Sequence, residues 1–170
     1  MIENPFLNIP ELELKKMSEI PVTTWLELLN HPRIRAHMPL ATEEFTLESC
    51  ASWIAGKERL WETHGFGPQA FLWSGEFVGW GGFQPEGDDA DLGLVLHPKH
   101  WGRGISIVKA MLEEGFERFR FPSIIILLPP SRTKLLPLSR LGFRRDGTVE
   151  WGGVSFMRFR LENPTTGVTK

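Results

Sequence analysis

Residues 94–106 pass from the aliphatic run Leu94-Val95-Leu96 through His97-Pro98 and the turn Trp101-Gly102-Arg103-Gly104 into Ile105-Ser106. The residue before a proline is pushed out of the helical region, so a strand over Ala90–Leu96 must stop at His97. Beyond the glycines, Val108, Met111, Leu112 and Phe116 recur at helical spacing, which predicts a helix from Gly104 to about Arg118. A strand that turns at once into an amphipathic helix has one economical way to bury both apolar faces, which is to lay the helix back on its own sheet.

The flanking chain repeats this alternation without an internal repeat or a long linker. Glu11–Met17 alternates as a strand. Pro21–Asn30 reads as a short helix closed by Pro32, and Thr46 caps a second amphipathic helix running to about Thr63. Ala70–Trp73 and Phe77–Phe83 form a hairpin through Ser74-Gly75-Glu76, and Glu86–Asp89 is an acidic turn. Ile124–Leu128, bounded by prolines and far shorter than the ~20 residues of a membrane span, reads as a buried strand. Ser131–Arg140 is basic and weakly helical, and Thr148–Leu161 is an aromatic-rich strand. The expected fold is α/β (α+β), a mixed central sheet flanked by helices in one domain over 1–170, with a core of about 9–162 and a frayed tail from Asn163.

Composition narrows the function classes. At 170 residues there is room for one core, and a single cysteine, Cys50, offers neither a disulfide nor a thiolate cluster, as in a reducing cytoplasm. The five histidines show no metal spacing, so no metal is expected. The net charge of −2 argues against a nucleic-acid partner, and no signal or membrane segment is read. The charge is uneven, however: residues 97–145 hold 10 basic and 3 acidic side chains, whereas residues 1–96 hold 6 and 15. A basic stretch with a glycine turn opening a helix suits a phosphate group, because the first helical turn presents unpaired N–H groups. Taken alone, the same turn also serves as a plain tight turn. The third glycine of a dinucleotide fingerprint is Ile107 here and no GK[ST] occurs, which removes nicotinamide dehydrogenases and P-loop kinases.

Trp101-Gly102-Arg103-Gly104-Ile105-Ser106 resembles the acetyl-CoA signature [RQ]-x-x-G-x-[GA] of the GNAT N-acetyltransferase superfamily. The longer string His97-Pro98-Lys99-His100-Trp101-Gly102-Arg103-Gly104 and the later Leu141-Gly142-Phe143 are similar to the branch of ribosomal-protein serine and alanine N-acetyltransferases. The resemblance spans residues 9–162 and implies a mostly antiparallel sheet. It implies that coenzyme A pyrophosphate sits on the amides of Gly102–Ser106, and that pantetheine pairs with the backbone of Leu94, Val95 and Leu96. Lys99, Arg103, Lys109, Arg132 and Lys134 are the nearest basic residues.

By the same resemblance Asp91 stands where a catalytic glutamate is common and is the candidate base, although Asp88, Asp89 and Asp91 read equally as a polar turn. Ser131 takes the place of the usual asparagine and is the candidate pantetheine contact or proton relay, with Lys134 at the following small-residue position. Leu138 stands where a tyrosine acid is usual, and the chain has no tyrosine. Pro137 is expected to shorten or kink its helix. Met38 and Pro39 lie in the region that borders the acceptor cleft in the family. The implied activity is direct acetyl transfer in a ternary complex, from acetyl-CoA to a peptide N-terminus or small-molecule amine, by a cytoplasmic monomer or homodimer. The rival is an acyl-CoA-binding module that has lost its proton-transfer groups.

Overall fold

A computed structural model describes residues 4–166. Seven strands form one sheet in the order β1-β2-β3-β4-β5-β7-β6: β1 (Leu12–Lys15), β2 (Pro68–Trp73), β3 (Glu76–Glu86), β4 (Asp89–Leu96), β5 (Ser123–Leu128), β6 (Arg144–Trp151) and β7 (Val154–Glu162). Every neighbouring pair is antiparallel except β4–β5. The α-helices among the described residues are α1 (Val22–Leu29), α2 (Pro32–Arg35), α3 (Leu47–His64), α4 (Gly104–Glu117) and α5 (Leu136–Arg140).

Strand alternation divides the core in two. In β2, Phe71 joins Leu92, Leu96, Ile107 and Met111 beneath α4, while its neighbours Ala70 and Leu72 join Trp25, Leu29, Cys50 and Ile54 beneath α1 and α3. Trp25, Trp53 and Trp80 pack edge to face on that second side, with centroids 5.7 and 5.2 Å apart along the series. Gly115 lets α4 sit close on the sheet, since a Cβ there would lie 2.7 Å from Phe83. Gly79 (φ 152°) is required for a different reason: a Cβ would come within 2.0 Å of the Val95 carbonyl oxygen, where β3 crowds the end of β4.

Two sequence expectations change, and a third, the shortening of the helix at Pro137, holds. The Thr148–Leu161 strand is two strands, β6 and β7, because Gly152 and Gly153 both take positive φ (53° and 80°) and turn the chain back. The helix around Pro137 is only five residues long, with Pro137 in its first turn, where the missing N–H leaves no bond unmade. The tail does not fray at Asn163, which is 3% exposed. Its side-chain amide donates to the carbonyls of Phe121 (3.0 Å) and Phe116 (3.5 Å) and so ties the end of β7 to the α4–β5 connection. The last four residues, 167–170, lie outside the described residues.

Candidate active site

The site begins where two strands part. β4 and β5 pair only at Ala90↔Ile124 and Asp91↔Ile125. Beyond Asp91 the edge of β4 that faces β5 has no strand beside it, although its other edge stays paired to β3 as far as Leu96. A cleft of about 350 Å³ fills the opening, with Leu92–Leu96 on one wall, Ile126–Pro129 on the other and Val108 of α4 between them. Buried backbone polar groups demand partners, so an extended ligand carrying amides is the natural occupant of such an edge.

The glycine turn stands at the end of β4. Residues Pro98–Arg103 form a 3₁₀ turn that runs straight into α4 at Gly104. Gly104 has ordinary helical dihedrals (φ −58°, ψ −41°), so its value is spatial rather than conformational: a Cβ at Gly102 or Gly104 would meet nothing within 4 Å. Open space against a helix N-terminus suits a diphosphate. Trp101 braces the turn by donating from Nε1 to the Leu96 carbonyl (2.8 Å), and the guanidinium carbons of Arg33 and Arg132 lie 4.4 and 5.6 Å from the centre of its ring.

Other expected binding residues are distributed unevenly. Leu94, Val95, Leu96, Met38, Arg132 and Lys134 line the cleft. Pro39 is exposed and outside the lining. Ile105 is exposed, and the Ser106 hydroxyl donates to the Arg103 carbonyl (2.9 Å). The Arg103 guanidinium stacks 4.3 Å over Trp73 and bonds His100 Nδ1 (2.6 Å), which commits this cation to the turn itself.

Asp91 sits at the apex, directly before the cleft-lining Leu92. Burial, followed by the charge of Glu86, pushes its carboxyl up to about 7; the Leu127 backbone hydrogen bond and the charge of Lys57 oppose the rise. Lys57, from α3, lies over the Trp53 and Trp80 rings at 5.7 and 5.6 Å and donates to Gln84, the residue opposite Asp91 in the β3–β4 register. Burial pulls its ammonium below the ordinary lysine value, and the charge of Asp91 partly restores it. Trp80 also lines the cleft, and its buried Nε1 has no hydrogen-bond partner.

Ser131 is exposed and outside the cleft lining, but its hydroxyl is hydrogen-bonded to His37 Nδ1 at 2.7 Å. His37 does line the cleft. Burial, and then the charge of Arg132, hold its imidazole below the ordinary histidine value. Sequence reasoning missed His37, Lys57 and Gln84. His37 and Ser131 are 94 positions apart, and no local pattern joins them. Leu138 lines the cleft as an apolar group. Among the described residues, no cluster of three or more His, Cys, Asp or Glu is placed to hold a metal ion, and no helix is long and apolar enough to cross a membrane.

No curated protein sequence matches the chain. Solved structures do. An acetyltransferase from Agrobacterium tumefaciens superposes with a TM-score of 0.71 at 19% identity, covering 89% of this chain and 90% of that one. The ribosomal-protein alpha-N acetyltransferase RimL in complex with coenzyme A gives 0.73 at 17% identity, over 89% and 94% of the two chains. Spermidine N-acetyltransferase from Vibrio cholerae, in complex with coenzyme A and spermine, gives 0.69 at 12%, over 91% and 96%. These likenesses establish the fold. The family model described as an acetyltransferase (GNAT) domain matches residues 11–134, from β1 through the glycine turn and past β5. With nearly three quarters of its length inside that match, the chain belongs to the GNAT acetyltransferase family.

Proposed function

We propose that this acetyltransferase moves the acetyl group of acetyl-CoA directly onto a primary amine, the acceptor being a peptide N-terminus or a small-molecule amine. The observation that carries the reading is the parting of β4 from β5 immediately after Asp91 and Ile125. Pantetheine would lie along Leu94–Leu96, with the diphosphate in the open space at Gly102 and Gly104 and Lys134 and Arg132 beside it. The thioester would then reach towards the apex.

An amine attacks only when it is unprotonated. Asp91, with its carboxyl near 7, is matched to removing a proton from an incoming ammonium at neutral pH, through a water at the apex. A peptide α-amine, with a reference pKa of about 7.7–8.0, asks far less of that base than a lysine side chain at about 10.4. Met38 borders the acceptor end of the cleft, with Pro39 beside it in the chain. Cys50 is fully buried with its thiol pushed up by burial, which supports direct transfer rather than an acyl-cysteine. A lone cysteine of this kind also suits a reducing cytoplasm, where the enzyme would work as a monomer or homodimer.

The test is free-thiol release from acetyl-CoA in the presence of a panel of peptide N-termini and small amines. Acceptor-dependent release is expected. Tight coenzyme A binding without release for any acceptor would favour a binding module and contradict this reading.

A further inference from the structure

Transfer from a thioester to an amine leaves one proton too many on nitrogen and one too few on sulfur. The chain has no tyrosine, and the cleft presents apolar Leu138 where the family resemblance puts one. His37 is the imidazole in the cleft lining, and its Nδ1 is tied to Ser131 across the mouth, while Nε2 takes part in no hydrogen bond among the described residues. We propose that His37 Nε2 carries the proton from the acceptor nitrogen to the departing sulfur, and that Ser131 is the positioning residue that holds His37 in the tautomer and orientation this requires. The inference rests on the transfer reading above.

His37 alone handles both proton movements. When the amine nitrogen bonds the thioester carbon it becomes positively charged; His37 Nε2 takes one of its protons, and that N–H bonding pair returns to nitrogen. As the carbon–sulfur bond breaks, its electron pair goes to sulfur, which takes the proton from Nε2. The imidazole ends as it began, and no outside acid is consumed. The charges around His37 favour both halves. Arg132 follows β5, Lys134 lines the same cleft, and Arg33 of α2 lies over neighbouring Trp101. Partial burial, and then the charge of Arg132, bias the resting imidazole towards its neutral form, ready to accept. The same surroundings make the imidazolium a stronger acid than free histidine, which suits donation to a thiolate with a reference pKa of about 8.5. For Nε2 to be the acceptor, Nδ1 must bear the hydrogen and donate it to Ser131 Oγ.

Two measurements test this. Nitrogen NMR of the histidines, with the His37 signal assigned by its loss in His37→Gln, is expected to show the Nδ1–H tautomer in the wild type and a shift towards Nε2–H in Ser131→Ala. An Nε2–H tautomer in the wild type overturns the proposal, whatever the activity. Kinetically, His37→Gln should lower kcat about 100-fold with the KM for acetyl-CoA within about twofold. Ser131→Ala should lower kcat about 10-fold and Ser131→Thr should restore most of it, while the double variant should be no worse than His37→Gln alone. His37→Ala should recover turnover with added imidazole. A wild type that turns over while His37→Gln keeps its kcat overturns this inference alone; a wild type that turns over no amine overturns the transfer reading and this inference together.

Discussion

Asp91 and Ile125 form the last parallel pair between β4 and β5, and the strands separate on the next residue. A partly buried carboxyl group therefore stands where the sheet opens, under the influence of the Lys57 charge and opposite Gln84. The geometry links the fold to the chemistry, because the same parting of strands that exposes backbone for an extended ligand ends at a group able to take a proton.

Asp91→Asn should lower kcat about 100-fold and leave the KM for acetyl-CoA within about twofold, as measured by steady-state thiol release. The wild-type rate should rise with pH through about 7, and the variant should lose that limb. Stability should move the other way. The folded state holds the Asp91 proton more tightly than the unfolded chain, so its contribution is present at low pH and is lost as pH rises through about 7. Asp91→Asn should accordingly melt higher than wild type at pH 8, by a margin that shrinks steadily down to about pH 4, by calorimetry.

Lys57→Met should shift the acid limb of the rate profile to higher pH, because the Lys57 charge is one of the two influences holding the Asp91 carboxyl down. An unshifted limb would remove Lys57 from the account.

Gly104→Ala and Gly104→Val separate folding from binding. The Gly104 dihedrals are helical and its Cβ direction is open, so alanine should stabilise the protein by about 0.5–1 kcal/mol in urea titration. Valine should raise the Kd for coenzyme A about tenfold or more by occupying the space assigned to the diphosphate, with little change in melting.

Asn163→Ala should destabilise the fold by about 1–3 kcal/mol, because it removes the side-chain donor from the Phe116 and Phe121 carbonyls. Urea unfolding measures this directly.

Much of the frame was legible in the chain. His97-Pro98 and Gly104 mark the strand end and helix start, and α3 follows its Thr46 cap from Leu47 to His64. The strand positions lining the cleft, Leu94–Leu96, followed from the resemblance once the turn was identified. What stayed hidden depends on contacts between distant segments. The His37–Ser131 bond joins residues on opposite sides of the opening. The environment of Asp91 is set by Lys57 from one element and Glu86 and Leu127 from two others. The fate of Arg103 turned on Trp73, a side chain 30 positions earlier with no periodic relation to it. The β6–β7 hairpin was missed because Gly152-Gly153 lies inside a run that otherwise keeps a strand's composition.

Amide hydrogen exchange, with and without coenzyme A, tests the central claim most directly. Occupation of the β4–β5 opening predicts that coenzyme A slows exchange across residues 92–96 and 102–106 and leaves β6 unaffected. Unchanged exchange across 92–96 at saturating coenzyme A would contradict it.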